Sequence, residues 1–328
     1  IGLLLGLDTL VSQSFGAGRL RDCQRYLIQG IYLSVVLTFP LTAIFLASLP
    51  VLDAWGIDPQ VRELAAPYLR ALAWSSLPLL LYAALRRYLQ AINLVRPVMV
   101  ALVSANLINA AGNWVLIFGH LGAPALGVKG AGYATLLSYL YMAGYMLIAV
   151  LRRNRVDSSG FTMEVLRPDL KRLKELIALG LPVAIQLVLE VSVFALATVM
   201  AARLDSHQLA AYQIALIAAS ISYMFPLGIS SAAAVRVGQA LGRLDPVAAA
   251  RSGWTALLLS TVIMSLAALS FILLPRPLLK IFTADPQVIS IGIYLLIVAA
   301  IFQIFDGAQA VATGALRGAG DTRNPMLW

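Results

Sequence analysis

Three acidic residues lie inside long apolar segments of this 328-residue sequence, namely Asp8, Glu190 and Asp306. A charged side chain at the centre of a bilayer costs about 2.5–3.5 kcal/mol even on lenient insertion scales. Acids at that depth face a cavity, pair with a partner, bind a cation or stay protonated. Glu190 and Asp306 both lie near the middle of their apolar runs, with no obvious basic partner nearby in the sequence. A metal ion, a proton or a cationic substrate would neutralise them, so we favour a functional role over a pair of protonated acids that only holds two helices together.

Asp8 allows two interpretations. It lies close to the start of the sequence, so its depth in a membrane cannot be counted, and Ser12 follows one helical turn later as a local partner. A cation-binding role and a packing or gating role both fit this position.

Several amides and one tyrosine accompany the acids. Gln186 precedes Glu190 by four residues and shares its helix face, so its oxygen can help to coordinate a cation. Tyr212 and Gln213 are candidates for the same supporting role, with ordinary interhelical hydrogen bonds as the alternative. A second stripe comprises Asn106, Asn109 and Asn113 on one face of another helix, where packing explains the amides better than a polar cavity does.

Other site chemistries lack the residues that they need. The single cysteine, Cys23, excludes an intrachain disulfide and a cysteine-based metal cluster, and His120 and His207 lie far apart near loops. None of the lysines precedes Ser or Thr, so the sequence contains no Walker A loop. Arg317, Asp321 and Arg323 occur at a glycine-rich helix end, where capping and loop closure explain them. The sequence therefore predicts no enzyme and no cofactor.

The elements that must position the acids are membrane helices. Hydrophobic residues make up 60% of the chain and charged residues only 12%, whereas globular domains average about 45–50% and about 25%. Continuous apolar runs of 17 or more residues predict spanning helices, and the chain contains about nine such runs. The runs cover residues 1–17, 26–52, 65–92, 98–118, 130–151, 176–202, 208–235, 254–274 and 288–316.

Charge distribution predicts the orientation. The net charge is +9, and most of the 24 Lys and Arg residues fall in the segments on one side of the predicted membrane. This asymmetry places the long polar connector, residues 152–174, in the cytoplasm. Basic residues between apolar runs contact lipid headgroups, so the charge does not predict nucleic-acid binding.

A short motif occurs twice in the chain. Residues 11–16 (VSQSFG) match residues 237–242 (VGQALG) at an offset of 226, and Leu89, Arg96 and Pro97 match Leu316, Arg323 and Pro325 at nearly the same offset. Two matches at one spacing predict a duplicated bundle with parallel repeats. In that register three helices have partners beyond the ends of this chain, which brings the total to twelve, in two lobes of six.

These motifs resemble the multidrug and toxic compound extrusion (MATE) family. Residues 7–19 (LDTLVSQSFGAGR) look like the signature of its second helix, and later motifs follow in family order, at 182–190, 210–214, 226–230, 235–239 and 316–323. The resemblance implies an all-α, two-lobe bundle of twelve helices, of which this chain would cover helices two to ten. Residues 1–151 would form the amino-terminal lobe and residues 175–328 the carboxy-terminal lobe.

The resemblance also implies a function. It is closest to the NorM-like branch, whose cation-coupling acids fall on Glu190 and Asp306, with Na⁺ or H⁺ as the coupling ion. Asn113 stands where some relatives carry an acid, which argues against an amino-lobe ion site. The expected protein is a monomeric antiporter of the bacterial inner membrane that exports drug-like, often cationic, compounds by alternating access. A lipid or lipid-linked oligosaccharide flippase of related fold is the alternative, although it should carry basic residues at mid-helix.

Overall fold

The computed structural model describes residues 1–54, 59–156, 163–201, 203 and 205–327. Within these ranges the chain is all helical and contains no strand. The α-helices are α1 (Gly6–Gly16), α2 (Leu20–Ala54), α3 (Pro59–Ala91), α4 (Val95–Phe118), α5 (Val128–Val156), α6 (Met163–Leu166), α7 (Leu170–Ala201), α8 (Ser206–Gly242), α9 (Pro246–Leu273), α10 (Pro275–Lys280), α11 (Pro286–Ala319) and α12 (Arg323–Leu327). The predicted all-α architecture is confirmed.

Eight of the described helices, α2, α3, α4, α5, α7, α8, α9 and α11, are long and apolar enough to cross a membrane. The protein is therefore an integral multi-pass membrane protein. The first predicted run differs, because residues 1–17 form a short 3₁₀ turn followed by the 11-residue α1. The polar connector is also partly helical, since α5 continues to Val156 and α7 begins at Leu170, while residues 157–162 lie outside the described ranges.

Aspartates determine where three helices begin. The side chains of Asp205, Asp245 and Asp285 accept hydrogen bonds from backbone N–H groups in the first turns of α8, α9 and α11. These bonds satisfy donors that have no partner within the helix. The bond from the Gln287 N–H also lowers the pKa of Asp285 below its usual value.

The chain divides into two compact units. The first contains residues 1, 3–11 and 19–178, and the second contains residues 2, 12–18 and 179–328. The division falls inside α1 and inside α7. The lobe boundaries that the sequence predicts remain a prediction.

In the first unit, α3 packs against α2 and α5, and α5 packs against α4. Ion pairs attach α6 and the start of α7 to α2: Arg25 pairs with Glu164, and Arg172 lies 2.7 Å from Asp22. The backbone N–H groups of Arg172 and Lys171 donate to the carboxylate of Asp169, which lowers its pKa below the usual value. The polar residues around the connector therefore hold it to α2.

In the second unit, α8, α9 and α11 pack against one another. Glycines allow the closest approach: a Cβ at Gly314 would overlap Ser230, and a Cβ at Gly318 would overlap the carbonyl of Ala234. Small residues four positions apart let membrane helices approach closely. The Ser230 hydroxyl donates to the Ala310 carbonyl at 2.7 Å across the same contact. This packing places the middle of α11 beside α8.

The two copies of the repeated motif contact each other reciprocally. A Cβ at Gly16 would overlap the Gln239 carbonyl, and a Cβ at Gly242 would overlap the Gln13 carbonyl. Gln13 and Gln239, like Gly16 and Gly242, are equivalent positions of the motif. The glycines of the motif therefore serve close backbone packing between its two copies.

We expect Gly314→Ala to destabilise the protein by about 1–3 kcal/mol, because the new methyl group must push α11 away from α8. Thermal unfolding of the purified protein in detergent measures the effect as a lower Tm. Gly228→Ala is the matched control, since nothing lies within 4 Å of a Cβ at that position of α8. An unchanged Tm for Gly314→Ala would contradict the packing described above.

Candidate functional site

The acids Glu190 and Asp306 meet in the second unit. Glu190 lies on α7 and Asp306 on α11, and both are partly buried. Both line the same two cavities, a larger one of about 270 Å³ and a smaller one of about 60 Å³. The fold thus brings together two carboxyl groups that lie more than a hundred residues apart in the sequence.

Tyr223 of α8 completes this group. Its hydroxyl donates to Glu190 Oε1 at 3.3 Å, and its side chain lines both cavities beside Asp306. The sequence analysis selected Tyr212 and missed Tyr223. Tyr223 falls near the middle of the 37-residue α8, whereas Tyr212 lies close to its start, so a comparison of depth would have found it.

The larger cavity is amphipathic. Its described lining contains the carboxyl groups of Glu190 and Asp306 and no Lys, Arg or His. The remaining lining is mostly apolar: Phe194, Leu216, Ala219, Met224, Met264 and Phe302. A cavity with acidic groups beside aromatic and sulfur-containing side chains suits a cation that carries apolar groups.

The smaller cavity follows a polar stripe along α11. Asp306, Gln309, Thr313 and Arg317 line it at spacings of three and four residues, and Gln186 of α7 lines it too. Arg317 is 7% exposed. The sequence analysis assigned Arg317 to capping and loop closure, whereas the structure places it in the lining that also contains the two acids.

Gln303 is the second cavity residue that the sequence analysis missed. It precedes Asp306 by three residues on α11, is 2% exposed and lines the larger cavity. The Ser222 hydroxyl of α8 lies 2.8 Å from its Oε1, and its Nε2 has no hydrogen-bond partner among the described residues. Its position within one helical turn of Asp306 is the sequence feature that could have identified it.

The other predicted site residues separate into two groups. Gln186 lines the smaller cavity as expected from its spacing to Glu190. Tyr212 and Gln213 lie outside the linings of both cavities, and Gln213 is exposed.

Asp8 lies in the first unit and is completely buried. Its Oδ2 accepts a hydrogen bond from Arg87 Nη1 of α3 at 3.2 Å, and the two groups form an ion pair. Arg87 lies inside α3, about one turn before its end at Ala91. A partly buried arginine therefore neutralises Asp8, where the sequence offered only Ser12 as a partner.

The asparagine stripe on α4 makes local hydrogen bonds. Asn113 Nδ2 donates to Asn109 Oδ1 at 3.0 Å, and Asn106 Nδ2 donates to the Leu102 carbonyl at 2.9 Å. Within the described ranges, no group of three or more His, Cys, Asp or Glu side chains is placed to hold a metal ion. Glu190, Asp306 and Tyr223 instead offer a site with oxygen ligands alone, which suits a hard cation or a proton.

We expect Tyr223→Phe to weaken cation binding at Glu190 by about tenfold, because the Glu190 carboxylate loses the hydrogen bond that it accepts from α8. The measurement is the apparent affinity for Na⁺ or H⁺ in cation-driven flux at constant protein amount. Tyr212→Phe is the matched control on the same helix. Equal affinities in the two variants would remove Tyr223 from the site.

Comparison with known proteins adds sequence and fold relationships. The MatE family model matches residues 1–115 and 182–328. A protein from Mesorhizobium japonicum named "Probable multidrug resistance protein NorM" is 36% identical over 335 residues, covering 100% of this chain and 72% of the relative. "Multidrug resistance protein NorM" of Aliivibrio fischeri is 30% identical, covering 97% of this chain and 69% of that protein.

Solved structures show the same fold. An outward-facing multidrug resistance MATE family transporter of the MOP superfamily superimposes with a TM-score of 0.88 at 20% identity, over 99% of this chain and 72% of that one. A MOP superfamily transporter from Pyrococcus furiosus gives a TM-score of 0.87 at 20% identity, over 99% and 72% of the two chains.

Proposed function

The chain belongs to the MatE family, and we propose that it is a secondary antiporter that exports drug-like, often cationic, organic compounds in exchange for Na⁺ or H⁺. The names of the relatives support export of several drugs. Those relatives are named multidrug resistance proteins, and the similarity to them extends over nearly the whole of this chain. The two carboxyl groups in an otherwise mostly apolar cavity carry the cation part of the proposal.

Glu190 and Asp306 would perform the exchange. An inorganic cation or proton and an organic cation both neutralise the same two carboxyl groups, so binding of one opposes binding of the other. Tyr223 donates a hydrogen bond to the Glu190 carboxylate, and both residues belong to the linings of the two cavities. Alternating access then couples inward movement of the ion to outward movement of the compound.

The driving force is sufficient for export. One-for-one exchange of a coupling ion for an organic cation moves no net charge, so the concentration gradient of the ion supplies the energy. Each tenfold gradient of the ion is worth about 1.4 kcal/mol and supports an up to tenfold gradient of the compound.

The family and the charge pattern support a proposed setting for this function. We place the protein in the bacterial inner membrane as a monomer, with the connector 152–174 in the cytoplasm and the lobes at 1–151 and 175–328. Its partners are small organic molecules and membrane lipid, with no nucleic acid or nucleotide. It carries no cofactor beyond the coupling ion and catalyses no covalent reaction.

Reconstitution tests the proposal. The purified full-length protein in liposomes should move ethidium against its gradient when a Na⁺ or H⁺ gradient is imposed, and the effective gradient identifies the coupling ion. Protein-free liposomes and liposomes without a gradient serve as controls. Absence of transport for a panel of organic cations, together with transbilayer movement of a labelled lipid, would support a flippase instead.

A further inference from the structure

The buried amide of Gln303 is the feature of the larger cavity that the proposed ion exchange does not use. The side chain is 2% exposed, lies on the same face of α11 as Asp306 and lines the cavity that both acids line. Leaving a buried polar atom without a partner costs free energy that an ordinary core position avoids. An amide at such a position is expected to bind what enters the cavity.

The hydrogen count around Ser222 indicates which atom of the amide is available. Ser222 Oγ lies 2.8 Å from the Ala219 carbonyl and 2.8 Å from the Gln303 amide. A hydroxyl carries one hydrogen, and it can donate to only one of these two groups. Both contacts are satisfied when Ser222 donates to the Ala219 carbonyl and the amide turns so that its NH₂ donates to Ser222 Oγ.

In that orientation the amide oxygen occupies the position at which the Nε2 atom had no hydrogen-bond partner among the described residues. Gln303, which carries this acceptor, belongs to the same cavity lining as Glu190 and Asp306. The described lining then contains three residues with acceptor groups among mostly apolar side chains. Such a set recognises a cation that donates hydrogen bonds better than a cation that has only methyl groups at its charge.

We propose that Gln303 makes this protein selective for protonated amines, whose ammonium N–H donates to the Gln303 amide oxygen, over quaternary ammonium compounds of the same shape. The inference rests on the proposed function in that it treats the cavity as the place where organic cations bind. It adds the chemical class of the preferred substrate and the residue that selects it. Ser222 acts as a positioning residue, because it holds the amide in the required orientation.

Two dansyl compounds that differ by one methyl group test the proposal. N-(3-dimethylaminopropyl)dansylamide is protonated near neutral pH and carries one N–H at its charge, whereas the trimethylammonium analogue carries none. Binding to the full-length protein in nanodiscs is followed by dansyl fluorescence. We expect the wild-type protein to bind the tertiary ammonium about tenfold more tightly, which is the effect of one hydrogen bond to a charged group.

The variants separate the amide from the size of the extra methyl group. Gln303→Met retains the volume of the side chain and removes the amide, so the preference should fall to within about twofold. Gln213→Met is the matched control, because Gln213 is an exposed glutamine of α8 outside both cavities, and it should keep the full preference. Ser222→Ala provides a second variant that leaves Gln303 in place and should reduce the preference by loosening the amide.

Equal affinities of the wild-type protein for the two compounds would overturn the proposal without any variant. A preference that survives in Gln303→Met would assign it to the shape of the cavity and would also overturn it. Efflux of both compounds is then measured in liposomes. Selective binding without efflux would contradict the antiporter function and support the selectivity. Efflux of both compounds at equal rates and affinities would support the antiporter function and contradict the selectivity.

Discussion

Gradient-driven efflux should fall by about a hundredfold in Glu190→Gln and in Asp306→Asn. Each substitution removes one of the two carboxyl groups in the cavity and keeps the shape of the side chain. Loss of one partner from a desolvated charge interaction costs about 2–5 kcal/mol, which corresponds to a factor of thirty or more in binding of the cation. The measurement is ethidium efflux from liposomes that contain equal amounts of folded protein, under the gradient that drives the wild type.

Asp245→Asn is the matched control for the loss of a carboxyl group. Asp245 caps α9 outside the two cavities, and asparagine caps a helix about as well as aspartate. This variant should retain wild-type efflux. Full efflux in both Glu190→Gln and Asp306→Asn would place ion coupling elsewhere in the protein, with Asp8 as the next acid to test.

Replacing one partner of the Asp8–Arg87 ion pair should lower the free energy of unfolding by about 3–5 kcal/mol. Asp8 is completely buried and the Arg87 side chain is 15% exposed, with a separation of 3.2 Å, so either single substitution removes an opposite charge from a largely desolvated pair in the first unit. The double variant Asp8→Asn, Arg87→Gln removes both charges and should recover most of the loss. Unfolding by SDS titration in mixed micelles measures all three proteins.

The same variants decide between the two interpretations of Asp8. Glu63→Gln, an exposed acid of α3, is the control and should not change the unfolding free energy. A structural role predicts that the double variant regains transport together with stability. Asp8→Asn with normal stability and no efflux would contradict the structural role and support cation binding at Asp8.

Within the second unit, the sequence predicted Glu190, Asp306 and Gln186 as candidate site residues but did not predict Tyr223, Gln303 or Arg317 beside them in the cavity linings. The acids were recognisable because a carboxyl group in an apolar run is costly wherever the helices pack. Tyr223, Gln303 and Arg317 were not recognisable in the same way. Tyrosine, glutamine and a terminal arginine are all common in membrane helices, and only the facing of α8 and α11 shows that these three line the cavities.

The Asp8–Arg87 pair illustrates the same limit in the first unit. The two residues are 79 positions apart, and nothing in their spacing predicts a contact between them. The contact of Arg87 with Asp8 depends on the rotation of α3 about its axis. That rotation is determined by packing against neighbouring helices, which the hydrophobic pattern of an all-apolar helix does not encode.

By itself the sequence determined that the chain crosses the membrane repeatedly, approximately where the eight long helices of the described ranges run, that Glu190 and Asp306 fall within two of them and which motif is repeated. These properties follow from the one-dimensional order of apolar and charged residues, because a helix in lipid must satisfy its backbone internally and avoid unpaired charge. Tertiary structure alone decided that Arg87 neutralises Asp8, that Tyr223 rather than Tyr212 supports Glu190, and that the Gln303 amide lines the same cavity as both acids. The physical reason is that side-chain partners across helices depend on crossing and rotation, which close packing at residues such as Gly314 and Gly318 sets only after the helices have formed.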